Sequence, residues 1–209
     1  MVGTIGVLFI SVGEFLMLYS PSGGYGMAAG HSNFLYPSIE RLRFGFYLAV
    51  LAVPAYILIY DHIAKMLNAS KRLNYIIVAL AVTGFTIGNI WLGTNAYIGF
   101  VVHQIAKGIP LQDTLIFLNS MGDPLLQIVR IIVLLLSAIV IWRVLQGGTF
   151  YPKWMIVCAP VLLIIYIFIL YFFVPVIVIV KYLFPAALNF AHLFFMLLST
   201  MYAFKMEEN

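Results

Sequence analysis

Charged residues are scarce in this sequence. Of its 209 residues only 9% are charged, whereas 64% are hydrophobic, and the mean hydropathy is +1.09. A soluble domain carries about 25% charged residues, so this chain lacks the polar side chains needed to cover a surface in water. The composition therefore excludes an ordinary soluble domain and predicts a protein whose main solvent is lipid.

The sequence has a single cysteine, and it lacks clusters of basic residues. The single cysteine, Cys158, lies in an apolar run and excludes an intrachain disulfide, so cysteine usage does not indicate a redox compartment. The net charge of +4 comes from Lys and Arg residues that stand between apolar runs. That pattern is typical of membrane topology signals and argues against nucleic acid as a partner. The first residues lack the positive segment of a cleavable signal peptide, so we expect the first apolar run to be a retained helix.

Long apolar runs, separated by polar or Gly/Pro-rich connections, organise the chain. A helix needs about 20 apolar residues to cross the hydrocarbon core of a bilayer. We therefore predict one all-α domain, a polytopic transmembrane helix bundle of about six spans over residues 1–209. Pro175 and Pro185 bracket an apolar run that predicts a re-entrant or interfacial segment, residues 174–183, before the last helix. The predicted spans are residues 2–19, 44–60, 73–92 with an extension to 106, 124–142, 154–172 and 186–202.

Two segments in the middle of the chain, the third apolar run and the residues after it, are harder to assign to spans and loops. The third apolar run is too long for one crossing of the ~30 Å core and too short for two, so we expect an extension or a break around Gly93-Thr94-Asn95. Residues 107–121 are predicted to form a loop. Asp123 followed by Pro124 is typical of a helix start, with Asp123 as the N-cap of span four.

The distribution of Lys and Arg predicts the orientation. With six spans, the side that holds both termini collects more of these residues than the other side, so both termini are expected in the cytoplasm. The first side holds Lys65, Lys71, Arg72, Arg143, Lys153 and Lys205, and the second holds Arg41, Arg43, Lys107 and Lys181.

Polar side chains within the spans fall mainly in the outer half of the predicted bundle. Asp123, Gln127 and Arg130 stand at i, i+4 and i+7, on one face of span four. Asn189 and His192 stand at i and i+3 on span six. Such stripes normally face the interior of a bundle, and the cytoplasmic half is expected to be nearly bare of polar groups.

A charged side chain at the middle of a membrane costs about 2.5–3.5 kcal/mol on insertion scales. We therefore expect the charged groups to be paired. The first expected pair is Glu14 with Arg130, and the second is Asp123 with Arg41 or Arg43.

These residues define a predicted pocket in the outer half of the bundle. Glu14 and His192 are candidates for general acid and base, and Arg130 is a candidate for binding an anionic group. Each also has a structural alternative: ion pairing for Glu14 and Arg130, and interhelical hydrogen bonding for His192 and the amides. The remaining ligand-binding candidates are Asn89, Asn95, His103, Asp123, Gln127 and Asn189.

A metal or haem site is the weakest alternative for the polar residues. His31, His103, His192 and Glu14 could converge on zinc, or two of the histidines on haem. Neither an HExxH nor a CxxC motif supports such a site. No metal and no cofactor is therefore predicted.

Two sequence segments resemble an uncharacterised family of bacterial polytopic membrane proteins of about this length. The first is Gly148-Thr149-Phe150-Tyr151-Pro152-Lys153-Trp154-Met155, which enters a span containing Pro160, and the second is Ala187-Leu188-Asn189-Phe190-Ala191-His192 in the last helix. Gly13-Glu14 matches an acidic position of the same family. The resemblance implies a multi-pass protein of a bacterial cytoplasmic membrane, and it implies no particular activity.

Three functions fit the pattern. The favoured one is an integral membrane protein that binds or chemically transforms a lipophilic small molecule with an anionic or polar head. The second is a small-solute or proton transporter or an immunity-type protein, and the third is a non-enzymatic membrane partner or assembly factor. The predicted partners are the lipid bilayer and this small molecule, and the sequence leaves enzymatic activity and oligomeric state open.

Overall fold

The computed structural model describes residues 2–19, 31–174, 180 and 184–207. No strand occurs among them, which confirms the predicted all-α class, and short 3-10 turns precede α2, α5 and α6. The predicted re-entrant segment lies outside the described residues, apart from Val174 and Val180. The helices are α1 (Val2–Leu18), α2 (Ile39–Met66), α3 (Lys71–Ala106), α4 (Gln112–Gln146), α5 (Pro160–Phe173) and α6 (Ala187–Glu207).

Four of these helices, α2, α3, α4 and α6, are long and apolar enough to cross a membrane. Helices α1 and α5 are apolar but shorter, so the count of six spans stays a prediction. Large apolar side chains cover the outside of the bundle, and Leu51 and Phe173 are 78% and 80% exposed. Lipid is the solvent that such a surface fits, and it forces the backbone to pair its polar groups within helices.

Helix α2 extends beyond its apolar run at both ends. It begins at Ile39, where the Ser38 hydroxyl accepts a hydrogen bond from the Arg41 backbone N–H at 3.2 Å. It continues to Met66 and so includes polar residues that the prediction of 44–60 left outside. A capped start and charged ends at the membrane surface stabilise these extra turns.

Helix α3 is continuous from Lys71 to Ala106, so of the two alternatives expected at Gly93-Thr94-Asn95 the structure has the extension and not the break. The side chains there bond within the helix. Thr94 donates to the Ile90 carbonyl at 3.0 Å, and Asn95 donates to the Trp91 carbonyl at 3.2 Å. These bonds satisfy the polar side chains inside the helix, and at 1.5 Å per residue its 36 residues span about 54 Å.

Helix α4 begins at Gln112, so the loop predicted at 107–121 and the cap predicted at Asp123 are wrong. Pro124 lies inside the helix. Leu115 and Leu118 pack against the core from the segment that was predicted to be a loop. In lipid their burial favours helix over loop, and one hydrogen bond lost at a proline is tolerated when neighbouring helices support the backbone.

Helix α5 is shorter than the predicted span 154–172. A 3-10 turn, Lys153–Cys158, precedes it, and Pro160 occupies its first turn, where a missing backbone N–H costs little. Pro160 is also the only residue of α5 that is fully buried. The helix therefore lies at the edge of the bundle.

Helices α1 and α2 touch through their backbones. A Cβ added at Gly13 would lie 2.6 Å from the Gly45 carbonyl oxygen, and a Cβ added at Gly45 would lie 2.6 Å from the Gly13 carbonyl oxygen. Small residues permit this kind of close helix approach in membranes. The contact holds α1 in a fixed position against α2, which fixes the place of Glu14.

We predict that Gly13→Ala destabilises the protein by about 1–3 kcal/mol, because the added methyl group meets backbone that cannot move aside without separating the helices. The measurement is the free energy of unfolding in mixed micelles titrated with denaturing detergent. The matched control is Gly88→Ala on α3, where the nearest atom to an added Cβ is 3.8 Å away. Equal effects of the two substitutions would contradict the close contact.

Candidate functional site

A cavity of about 710 Å³ is lined by residues from all six helices. Its walls are mainly apolar and aromatic. Gly88 leaves open space in the α3 wall, since an added Cβ would have only Val129 within 4 Å. The apolar lining includes Phe85, Trp91, Leu92, Leu126, Val129, Val133, Ile164, Ile165, Phe168, Ile169 and Phe172.

Four charged or amide side chains also line this cavity: Glu14 on α1, Asn89 on α3, Arg130 on α4 and Asn189 on α6. All four are among the predicted site residues, and the fold brings them to one chamber. The stretch of α4 from Arg130 to Arg143 spans about 20 Å at 1.5 Å per residue. Because Arg143 bonds to the Leu67 carbonyl at one end of the bundle, Arg130 lies about 20 Å from that end along the helix axis, on an exposed face of α4.

Glu14 is the most buried charged residue of the site, with 3% of its surface exposed. The Asn189 side-chain amide donates a hydrogen bond of 2.7 Å to Glu14 Oε2. The Tyr56 hydroxyl donates in turn to Asn189 Oδ1 at 2.6 Å. This chain of bonds joins α1, α2 and α6, and it uses both the donor and the acceptor of the Asn189 side chain.

His192 lies one turn further along α6, is 2% exposed and does not line the cavity. Its Nδ1 bonds to the Leu188 carbonyl at 2.7 Å and must donate, because a carbonyl only accepts. Its Nε2 is 2.9 Å from the Tyr60 hydroxyl, which donates to it in the neutral ring. The two ring nitrogens are thus occupied by packing contacts, and the cavity offers His192 no contact with a ligand.

Arg130 is exposed, and its Nη1 donates to Gln127 Oε1 at 3.4 Å. The two expected ion pairs are not formed. An ion pair does form between Lys65 and Asp61 on α2, at 2.6 Å. The polar stripe of α4, formed by Asp123, Gln127 and Arg130, lies on an exposed face. Helical spacing correctly predicted that Gln127 lies beside Arg130, but the predicted ion pair between Arg130 and Glu14 is not formed.

The other predicted residues lie nearer the end of the bundle where α3 ends. Asn95 and Asp123 line a small void of about 20 Å³, the size of a single water. His103 Nε2 donates to the Pro37 carbonyl at 2.9 Å, beside the start of α2. The structure therefore separates Asn95, His103 and Asp123 from the cavity.

The histidines do not share a site. His31 Nε2 lies 3.0 Å from Asn119 Oδ1 on α4. His103 bonds to the Pro37 carbonyl before α2, and His192 bonds to Leu188 on α6 and Tyr60 on α2. Within residues 2–19, 31–174, 180 and 184–207, no group of three His, Cys, Asp or Glu side chains could hold a metal ion.

Sequence reasoning missed the tyrosines of the polar network. Tyr56 and Tyr60 stand at i and i+4 on α2, the spacing that matches Asn189 and His192 at i and i+3 on α6. Tyrosines near the ends of apolar runs are typically interfacial anchors. They were therefore not predicted to form hydrogen bonds with α6. The matching spacings on two helices are the signal that could have found it.

A second polar cluster lies nearer the other end of α6, where the prediction expected few polar groups. Ser199 Oγ is 3.0 Å from His62 Nε2 and 2.6 Å from the Tyr151 hydroxyl. Thr4 and Thr200 are bonded at 3.2 Å. The prediction that the cytoplasmic half is nearly bare of polar groups was wrong. Helix α2 continues to Met66, so it includes His62, which was predicted to lie in a loop.

The model of a family of unknown function (DUF6796) matches residues 1–206. The match agrees with the predicted resemblance to an uncharacterised family and confirms it. The corresponding searches found no match among curated proteins or solved structures.

We predict that Tyr56 and Asn189 are energetically coupled. A double-mutant cycle with Tyr56→Phe and Asn189→Leu should give a coupling of about 1 kcal/mol in the free energy of unfolding, since each substitution removes the same buried bond. The control cycle pairs Tyr56→Phe with Ser199→Ala, about 15 Å further along α6. That pair should be additive within about 0.5 kcal/mol, and equal couplings in both cycles would contradict the network.

Proposed function

Since the chain belongs to the family DUF6796, whose function is unknown, we propose its function from the geometry of the cavity. It is an integral membrane protein that binds a lipophilic small molecule with a polar head. The observation that supports this proposal is a mainly apolar chamber of about 710 Å³ with four charged or amide side chains in its wall. Sites for small molecules generally have volumes of about 300–1,000 Å³, apolar walls and a few placed polar groups.

The apolar wall formed by α5 supports a ligand that arrives from the bilayer. Ile165, Phe168, Ile169 and Phe172 line the cavity, yet they are also 45%, 38%, 47% and 64% exposed. Among the described residues, these side chains of a short helix thus belong both to the cavity wall and to the exposed surface. A lipophilic molecule can pass there without crossing water.

The polar wall supports a ligand with a head that forms hydrogen bonds. The half-buried Asn89 side chain has no hydrogen bond to any described residue, and Arg130 has the single one to Gln127. Donors left unused in an apolar environment cost free energy. A polar head placed between Asn89 and Arg130 would satisfy these donors, whereas a purely apolar ligand would not.

We expect Gly88→Leu to weaken binding of an amphiphile at least tenfold, because the new side chain occupies the open space in the α3 wall. Binding is measured by saturable quenching of tryptophan fluorescence with lysolipids that carry brominated acyl chains. Trp91 lines the cavity, so Trp142→Phe and Trp154→Phe are included to leave it as the only tryptophan.

The matched control for this experiment is Ala79→Leu, which adds a leucine on the exposed side of the same helix. It should leave the affinity within a factor of two. If Gly88→Leu binds as tightly as the parent protein, or if quenching never saturates, the cavity is not the binding site and the proposal fails.

Transport is the second function that a structural observation favours. The cluster at Ser199 and the network at Asn189 lie along the same helix, as a polar route through the bundle would require. Between them, however, Phe195 and Met196 are 1% and 2% exposed and close the seam with apolar side chains. Binding therefore stays the first proposal.

We also propose that both termini lie in the cytoplasm. The Phe150 backbone N–H donates to the Met66 carbonyl at 2.9 Å, which brings the α2–α3 and α4–α5 connections to the same end of the bundle. The basic residues at these connections give that end the cytoplasmic excess of positive charge. They are Lys65, Lys71, Arg72, Arg143 and Lys153.

Cysteine labelling of intact cells checks this orientation. In a Cys158→Ser background, Lys107→Cys should react with a membrane-impermeant maleimide, whereas Lys71→Cys should react only after permeabilisation. Both positions are exposed and adjoin opposite ends of α3, so they differ only in side. The reverse labelling pattern would invert the proposed orientation.

A further inference from the structure

The cavity contains one carboxylate and one guanidinium that are not paired with each other. Glu14 and Arg130 both line it, but Glu14 bonds to Asn189 and Arg130 bonds to Gln127. The bond from Asn189 uses Oε2, and no described residue donates to Glu14 Oε1. Each charged group therefore retains capacity for a partner of opposite charge inside the same chamber.

We infer that the ligand is a zwitterionic amphiphile whose head joins a primary ammonium to a phosphate, the chemistry of an ethanolamine phospholipid head. This inference rests on the proposed function, because it concerns the ligand of the same cavity. The ammonium binds Glu14, and the phosphate binds Arg130. The acyl chain lies along the apolar walls of α4 and α5.

Singly charged amphiphiles fit the two groups less well. A fatty carboxylate would satisfy Arg130 but bring a second negative charge into a chamber where Glu14 has one amide donor. An alkylammonium would satisfy Glu14 and leave Arg130 facing a positive charge. Each of these ligands therefore gains an attraction to one charged residue and a repulsion from the other. The repulsion matters because charges are weakly screened in a low-dielectric environment.

The geometry at Glu14 also favours an ammonium that carries N–H bonds. Glu14 Oε1 accepts hydrogen bonds, and charge-assisted bonds are about twice as strong as neutral ones. A quaternary ammonium has no N–H group and binds instead to aromatic faces. Here the aromatic rings of the cavity wall are packed on other rings: Phe85 lies 3.5 Å from Tyr56, and Tyr171 is stacked on Phe184 at 3.9 Å, measured between ring centroids.

The test compares three lysophospholipids with the same brominated acyl chain and different heads, ethanolamine, choline and glycerol, by quenching of Trp91. The ethanolamine and choline lipids have the same net charge and the same phosphate, so they differ in the N–H donors. We expect the ethanolamine lipid to bind about tenfold more tightly than the other two, which is the effect of one hydrogen bond to a charged group.

Substitutions of Glu14 and Arg130 test which residue binds the ammonium and which binds the phosphate. Glu14→Gln keeps an acceptor for Asn189 but removes the charge, and it should reduce the preference for ethanolamine over choline to about one. Arg130→Gln should weaken all three lipids by a similar factor of about ten, because they share the phosphate. Arg130→Lys should recover part of that affinity.

The outcomes separate this inference from the proposed function. Equal affinity for the three heads in the parent protein, or an ethanolamine preference that survives Glu14→Gln, would overturn the zwitterion and leave the binding cavity in place. Absence of saturable quenching by every lipid, with no effect of Gly88→Leu, would overturn the binding function itself. The head series in the parent protein decides the question even if a variant fails to fold.

Discussion

The structure depends on one side chain, Asn189, which joins a carboxylate on α1 to a phenol on α2. In a chain this apolar, a buried carboxylate is expensive unless a donor reaches it. Asn189 donates to Glu14 at 2.7 Å and accepts from Tyr56 at 2.6 Å. Because both of its functional groups are used, α6 can occupy only one position against α1 and α2. A single amide therefore links the registration of three helices.

Close packing on one side of this amide leaves room on the other. Gly13 and Gly45 let the α1 and α2 backbones touch, and the Tyr60–His192 bond draws α6 onto the same pair. Helix α3 packs against both α2 and α4, and α5 contributes only Pro160 to the buried residues. The chamber is thus the space that remains between a tight group of helices and a loosely packed edge helix.

Hydropathy alone predicted the helices but not their ends. Charged and amide residues such as Asp61 and Asn119 lie within helices because short-range bonds to Lys65 and to the Leu115 carbonyl satisfy them there. The same limitation affected the site. Polar residues within the predicted spans included Glu14, Asn89, Arg130 and Asn189, which share the cavity. Helical spacing could not tell that the polar face of α4 turns outward. It also could not show that tyrosines on α2 would meet α6, since that depends on how two helices are registered.

The separation of Glu14 from Arg130 is the feature that stability alone does not explain. An ion pair between them would have lowered the cost of two charges in an apolar interior, and both residues line the same chamber. Instead Glu14 is held by a neutral amide and Arg130 by a long bond of 3.4 Å to Gln127. Two charged groups that line one cavity without pairing, each with capacity for a further bond, support our proposal of a ligand that bonds to both. On our proposal, the free energy that the protein forgoes by leaving this pair unformed is recovered when a ligand with complementary charges at the two ends of its head binds.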